Sequence, residues 1–292
     1  MSGERSLREC CLAEVVGTFL LIFFGCGAVH VAVLFGGLQG LWQVGIVWGL
    51  AIMLAIYTIG HISGAHINPA ITIGLAFWGR FPRGRVVPYI LYQFVGAILA
   101  AVALYGLFQG PLADFEKEHG IVRGEPESVL TAMCYGEYYM NPGGYEFEED
   151  GKVDSKKLAQ HLERTSMATA FLAELIGTAI LAFVVVSTTS TGNEDVPHRL
   201  APVFIGLTVA ALICVLAPLT QACFNPARDF GPRIVAALAG WGQAALPGPN
   251  GAGIVVVYAF APIIGSIVGV GFAAQLVSHD VVLPNPEDKE LE

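Results

Sequence analysis

The sequence predicts an all-α polytopic membrane protein with six transmembrane helices and two re-entrant half-helices, arranged as two inverted repeats. Three observations lead to this fold class. Hydrophobic residues make up 54% of the 292 residues and charged residues only 13%, which is about half the charged share of a soluble domain. Six apolar stretches reach the length of about 20 residues that crosses a bilayer. Two short motifs also recur in both halves of the chain.

The six spans divide the chain into two similar halves. They lie at roughly Leu12–Leu34, Gly40–Ile59, Val86–Phe108, Met167–Ser187, Ala201–Leu219 and Gly253–Val277. The leader before the first span is too short and too charged for a cleaved signal peptide, so we expect this span to be retained. Residues 1–292 are predicted to form one membrane domain, with repeat 1 at about 10–108, a long outer loop at 109–165, repeat 2 at about 166–278 and an acidic tail at 279–292.

Basic residues predict the orientation of the spans. With the N-terminus inside, the first outer loop carries no basic residue, as the positive-inside rule expects. The outer loop 109–165 has six basic residues but also 12 acidic ones, and its length weakens the rule. The inner side then carries Arg5, Arg8, Arg80, Arg83, Arg85, Arg199 and Lys289. We therefore expect a multi-pass protein of the cell membrane with both termini in the cytoplasm.

Charge and motif content exclude several classes of function. The net charge of −9 comes from the outer loop and the tail, and no basic run that would track nucleic acid is present. The six cysteines show no metal-ligand spacing, and His61 and His66 are not interpreted as metal ligands. Motifs of serine hydrolases, zinc proteases and phosphate-binding loops are absent. The sequence therefore predicts no nucleic-acid partner, no metal, no cofactor and no enzymatic activity.

Two motifs repeat at nearly the same spacing. Ala13–Thr18 (Ala-Glu-Val-Val-Gly-Thr) is answered by Ala173–Thr178 (Ala-Glu-Leu-Ile-Gly-Thr), and Asn68-Pro69-Ala70 by Asn225-Pro226-Ala227. The offsets are 160 and 157 residues. Each half holds three spans, an odd number, so the second copy is inverted in the membrane. Inverted repeats place a shared site near the bilayer midplane.

The Asn-Pro-Ala boxes predict half-helices. Asn followed by Pro is a helix start, with Asn as the cap and Pro at the first helical position. About ten residues of helix reach roughly 15 Å, half of the hydrocarbon core. One box alone is an ordinary turn signal, but two boxes at the repeat offset indicate segments that enter from opposite faces. Asn68 and Asn225 are then amide donors at the centre, where two helix N-termini disfavour cations.

Non-helical backbone precedes each box. Such backbone is tolerated at membrane depth only where protein buries it or where it lines a water-filled path. These approaches are therefore predicted to present carbonyl acceptors to a pore. The predicted carbonyl ladder consists of Gly64, Ala65, His66, Gln221, Ala222 and Cys223.

Twin Asn-Pro-Ala boxes within six spans resemble those of the aquaporins, or major intrinsic proteins, and in particular the glycerol facilitator branch. The resemblance extends from about Glu14 to Gly269. Features similar to that branch are Asp229, Arg233, the pair Pro262-Ile263 and the outer-loop stretch Phe115–Gly124. The resemblance implies the aquaporin fold, a homotetramer with one pore in each subunit, and His66 as the loop histidine, whose carbonyl matters more than its ring.

The resemblance also implies a narrow selectivity filter at four positions, namely Trp48, Ile213, Ala222 and Arg228. Trp48 is typical of glycerol facilitators, but their usual quartet is Trp, Gly, Phe and Arg. Ile213 and Ala222 depart from it, and the resulting quartet is closer to that of nodulin-26-like channels. Water-selective aquaporins usually have Phe and His where this chain has Trp48 and Ile213.

Three charged residues within the membrane have two interpretations each. A charge at membrane depth is costly and usually functional, so Arg228 is interpreted as a filter residue; the alternative is a structural cation paired with Asp229. Glu14 and Glu174 are interpreted as buried acceptors that support the re-entrant loops, one in each repeat. Their alternative role is a proton or ion relay.

The predicted function is a passive channel for glycerol and other small uncharged solutes, with water also passing. Two other classes stay open: a secondary transporter with inverted repeats, and a structural or junctional membrane protein. Within the channel class, a nodulin-26-like channel for urea, ammonia or metalloid acids is the alternative. The outer loop contains a polar, Gly-rich segment at Tyr138–Lys157, which is predicted to be partly disordered.

Overall fold

The computed structural model describes residues 5–193 and 195–277, so the predicted acidic tail at 279–292 lies outside the described residues. Six described helices are long and apolar enough to cross a membrane, which confirms the predicted number of spans. These candidate spans are Leu7–Phe35, Leu41–Ser63, Arg83–His119, Met167–Thr189, His198–Thr220 and Gly253–Leu276. The protein is an all-helical multi-pass membrane protein.

The helices follow the order that the repeats predict, with three long helices and one half-helix in each half. In chain order they are α1 (Leu7–Phe35), α2 (Leu41–Ser63), α3 (Pro69–Phe77), α4 (Val86–His119), α5 (Val129–Ala132), α6 (Ser155–Leu162), α7 (Met167–Thr189), α8 (Ala201–Thr220), α9 (Pro226–Ala236), α10 (Gly242–Ala245), α11 (Gly253–Val255) and α12 (Ala261–Val277). A π-helical turn at Val256–Phe260 joins α11 to α12.

Packing between the helices shows the same internal symmetry. Helix α1 packs against α2 and α4, and its counterpart α7 packs against α8 and α12. Helices α2 and α8 pack against each other and join the two halves. Each half-helix packs against the last long helix of the other half, α3 against α12 and α9 against α4. The half-helices are thus held between the repeats.

Two glycines allow α2 and α8 to approach closely. A Cβ atom added at Gly49 would lie 2.7 Å from the Gly206 carbonyl oxygen, and one added at Gly206 would lie 2.5 Å from the Gly49 oxygen. Without a strong hydrophobic driving force inside lipid, such small-residue contacts supply much of the packing between membrane helices. This crossing brings the two repeats together.

Gly206→Ala is therefore expected to lower the thermal unfolding midpoint in detergent. Its methyl group would overpack the crossing, at a cost of about 1–3 kcal/mol. Gly106→Ala is the matched control, because an added Cβ at this α4 position meets nothing within 4 Å and alanine favours the helix by up to about 1 kcal/mol. Equal midpoints for Gly206→Ala and the parent would contradict the close crossing.

The outer loop differs from prediction in two ways. Helix α4 continues through Pro111 to His119, whereas the sequence predicted that the span ends at Phe108. The segment predicted to be partly disordered is packed: Tyr138 and Tyr145 are buried, and Asp154 caps α6 by accepting hydrogen bonds from two backbone N–H groups. The segment is polar on average, but its aromatic side chains supply apolar surface. Burial of this surface holds the loop against the helices.

Candidate functional site

The two Asn-Pro-Ala boxes begin helices as predicted. The Asn68 Oδ1 accepts from the Ala70 backbone N at 2.8 Å, and the Asn225 Oδ1 accepts from the Ala227 N at 3.1 Å. Pro occupies the first turn of both helices. The half-helices have 9 and 11 residues, which corresponds to about half of the hydrocarbon core.

Each box asparagine also bonds to the opposite loop. The Asn68 Nδ2 donates to the Phe224 carbonyl oxygen at 2.8 Å, and the Asn225 Nδ2 donates to the Ile67 oxygen at 2.8 Å. Each amide has two hydrogens, so one remains for the cavity that both asparagines line. The sequence predicted carbonyl acceptors in the approaches that end at Ile67 and Phe224, but it did not predict that these two carbonyls pair with the opposite asparagines, because a backbone acceptor carries no motif.

Glu14 anchors the loop before the first box. Its Oε1 accepts from the Ser63 hydroxyl at 2.7 Å and from the His66 backbone N at 2.9 Å. Its Oε2 accepts from the Ile67 N at 2.7 Å and from the Gln93 side chain at 2.8 Å. Both carboxylate oxygens are therefore engaged, as loop support requires.

Glu174 does the same for the second loop. It accepts from the Thr220 hydroxyl at 2.6 Å and from the backbone N of Cys223 and Phe224 at 3.0 and 2.7 Å. In both loops the backbone N–H groups therefore point toward the glutamate. The backbone carbonyls are left for the side of the loop that faces away from the glutamate. Ala222 and Phe224 have φ of 63° and 55°, a left-handed conformation that the surrounding bonds sustain.

The repeated glycine of the Ala-Glu-x-x-Gly-Thr motif makes room for the loop. A Cβ added at Gly17 would lie 2.7 Å from the Ile67 side chain, and one added at Gly177 would lie 2.1 Å from the Phe224 ring. Glutamate and glycine of the motif therefore act on the same loop residue: one binds its backbone N–H, and the other accommodates its side chain. This explains why the motif and the box recur together.

The predicted ladder residues border two cavities. The box cavity, about 360 Å³ in volume, lies between the two boxes and is lined by five of the six residues, namely Gly64, Ala65, His66, Ala222 and Cys223. The sixth, Gln221, lines the vestibule, a second cavity of about 530 Å³ beneath the outer loop. The Gln221 Oε1 accepts from the Tyr138 backbone N at 2.9 Å. Gln221 thus fixes the outer loop to the end of α8.

Three of the four predicted filter residues lie where the cavities meet. Trp48, Ile213 and Arg228 line both the box cavity and the vestibule, whereas Ala222 lines the box cavity alone. The Arg228 guanidinium carbon is 4.6 Å from the centroid of the Trp48 ring, within the range of a cation–π contact. A Cβ added at Gly25 would lie 2.3 Å from that indole, so glycine on α1 makes room for Trp48.

Arg228 is held by the outer loop and not by Asp229. Its Nε lies 2.5 Å from the Glu137 Oε1, and its Nη1 donates to the Tyr135 carbonyl at 2.8 Å. Asp229 instead pairs with Arg233, one turn further along α9. The alternative of a structural cation paired with Asp229 is therefore wrong. Glu137 was missed by sequence reasoning, because an acidic residue among 12 in one polar loop gives no signal.

A third ion pair, which is partly buried, fixes the start of the outer loop. The Arg123 Nη2 lies 2.8 Å from the Glu116 Oε2, and its guanidinium carbon lies 3.9 Å from the centroid of the Trp241 ring. Burial alone would lower the pKa of Arg123, but the hydrogen bond and charge of Glu116 raise it overall. This pair borders neither the box cavity nor the vestibule.

Known proteins share this architecture. A model of the Major intrinsic protein family matches residues 2–272. The glycerol uptake facilitator protein of Shigella flexneri is 40% identical over 92% of this chain and 88% of its own length. The propanediol uptake facilitator of Salmonella typhimurium is 37% identical over 90% and 92%. The X-ray structure of the aquaglyceroporin from Plasmodium falciparum aligns with a TM-score of 0.74 at 25% identity, covering 94% of this chain and 98% of that one. The chain belongs to the major intrinsic protein family.

Proposed function

We propose that the protein is a passive channel for glycerol and other small uncharged solutes, with water passing by the same route. The observation that carries this proposal is the amphipathic set of residues at the point where the vestibule meets the box cavity, which we call the constriction. Trp48 and Ile213 give it an apolar wall for a carbon backbone, and the Arg228 guanidinium supplies donors for hydroxyl groups. The relatives named for glycerol and propanediol uptake support the same class of solute.

The box cavity extends this selection. Asn68 and Asn225 offer amide donors, and the ladder residues offer carbonyl acceptors, which together replace the hydration of a neutral solute. These asparagines cap the N-termini of α3 and α9, and the two helix N-termini place partial positive charge there. Rejection of cations by half-helix dipoles and an arginine is a known aquaporin principle. A channel of this kind performs no chemical conversion, so the protein is not an enzyme.

A coupled secondary transporter is less well supported. Such a transporter needs a group that binds a coupling ion, and Glu14 and Glu174 were the intramembrane acids available for that role. Both oxygens of each carboxylate already accept hydrogen bonds from the loops. The remaining parts of the proposal are a homotetramer in the cell membrane, with one pore in each subunit and both termini cytoplasmic.

Stopped-flow light scattering on proteoliposomes tests the proposal. We expect glycerol flux well above that of empty liposomes, without saturation at high solute concentration and unchanged by imposed proton or sodium gradients. Potassium and proton fluxes should stay at the background of the lipid. Glycerol flux equal to that of empty liposomes would contradict a channel, and saturable flux driven by a gradient would indicate the transporter.

A further inference from the structure

Glu137 lies at the constriction but belongs to none of the four filter positions. We propose that Glu137 is a fifth filter residue, whose free carboxylate oxygen accepts a hydrogen bond from the passing solute. This role rests on the channel function proposed above. The outer loop would then contribute directly to selection.

The position of Glu137 is fixed from two sides. Its backbone N donates to the Asp229 Oδ1 at 2.6 Å, and its carbonyl accepts from the Arg233 guanidinium. Arg233 and Asp229 are themselves paired on α9. The ion pair of α9 therefore holds the loop backbone, and the Glu137 side chain is directed to Arg228 at the constriction.

One carboxylate oxygen has a partner and the other does not. The Oε1 pairs with the Arg228 Nε at 2.5 Å, whereas the Oε2 is buried without a hydrogen-bond partner among the described residues. The Glu137 side chain is only 2% exposed, yet the residue lines the vestibule. A buried acceptor without a donor is unfavourable, and an N–H or O–H group of a solute at this point would satisfy it.

Among the described residues that line the vestibule, Glu137 and Arg228 are the only charged ones. Together they place an anionic acceptor beside a cationic donor. A solute with an N–H group beside a carbonyl group could donate to Glu137 and accept from Arg228. Urea and small amides carry that arrangement. A urea N–H can only donate, whereas a glycerol hydroxyl can rotate to donate or accept. Urea should therefore depend on the free oxygen of Glu137 more strongly than glycerol does.

Glu137→Gln tests this assignment in proteoliposomes. The amide oxygen of the new side chain can still accept from the Arg228 Nε, but an NH₂ group replaces the free acceptor. We expect the ratio of urea to glycerol permeability to fall about tenfold, because a hydrogen bond to a charged acceptor is lost for urea. A general loss of folded protein would reduce both fluxes together and leave the ratio unchanged.

Glu116→Gln is the matched control, because it removes a buried carboxylate from an arginine pair that borders neither cavity. Its permeability ratio should equal that of the parent. Glu137→Ala, which lacks both oxygens, should lower the ratio as Glu137→Gln does, and it provides the readout if the Gln variant does not reconstitute.

The outcomes separate this inference from the channel function. Parent protein that conducts glycerol, together with an unchanged ratio in Glu137→Gln or Glu137→Ala, would overturn the role of Glu137 and leave the channel standing. A parent that conducts glycerol but not urea would overturn it as well. A parent that conducts neither solute would contradict the channel itself.

Discussion

Ala222→Phe alone is expected to abolish nearly all glycerol flux. Ala222 is buried on the box-cavity side of the constriction, in the same apolar cluster as Trp48 and Ile213. The guanidinium of Arg228 lies 4.6 Å from the centroid of the Trp48 ring, and a larger side chain at position 222 would enter the cavity that both residues line. A phenyl ring adds far more volume than a close-packed site accepts without displacement. The ring would fill the aperture beside the branched side chain of Ile213.

Flux should return when space is made for that ring. Ile213→Gly combined with Ala222→Phe creates the Trp, Gly, Phe, Arg quartet typical of glycerol facilitators, and its ranking of glycerol, urea and water should move toward the facilitator pattern. Ile213→Gly alone should not produce this shift, because the second wall is then missing. Stopped-flow measurement of glycerol, urea and water permeability in the three variants and the parent tests this expectation. Near-parent glycerol flux in Ala222→Phe would show that these positions share no constriction.

Asn68→Asp and Asn225→Asp are each expected to lower glycerol flux at least about tenfold. Each substitution removes the hydrogen bond from the side-chain amide to the opposite loop, and it places a carboxylate oxygen against a carbonyl oxygen. The Asn68 Nδ2 now lies 2.8 Å from the Phe224 carbonyl oxygen. An aspartate oxygen in its place would face that carbonyl without a hydrogen. The carboxylate would also sit where two helix N-termini meet, and it would reduce the positive potential that disfavours cations. Potassium leak should therefore rise as glycerol flux falls.

A matched control separates this effect from loss of an ordinary amide. The Asn193 Nδ2 donates to the Ser187 carbonyl at 2.9 Å, and Asn193 lines neither the box cavity nor the vestibule. Asn193→Asp should leave glycerol and potassium permeability unchanged. Asn68→Asp or Asn225→Asp protein that is correctly assembled and conducts like the parent would contradict the central role of the asparagines.

The fold was predictable because the strongest signals are local. A span of about 20 apolar residues needs no partner to be recognised, and an Asn-Pro pair starts a helix wherever it stands. The repeat added the one non-local fact, namely that the two boxes are equivalent. The end of α4 was predicted too early, because apolar composition stops at Phe108 while the helical backbone continues to His119.

The candidate site was predictable only where a motif marks it. Trp48, Ile213 and Arg228 were assigned from the resemblance to the aquaporins, and all three line both the box cavity and the vestibule. Glu137 has no fixed spacing from either box, because the outer loop folds back over α9 by tertiary contacts. The acceptor carbonyls of Ile67 and Phe224 are backbone groups, which every residue has. The sequence therefore predicts side-chain donors better than it predicts what they contact.

The exchange of hydrogen bonds between the box asparagines and the opposite loops has a consequence for synthesis. The acceptor of Asn68 lies 156 residues further along the chain, and a ribosome needs on the order of ten seconds to add that length. Until then the first half-helix has a polar cap with no partner, and an unsatisfied group is costly in hydrocarbon. We expect the newly made first half to keep this segment in contact with water or the insertion machinery. The segment would enter the membrane only when the second half arrives.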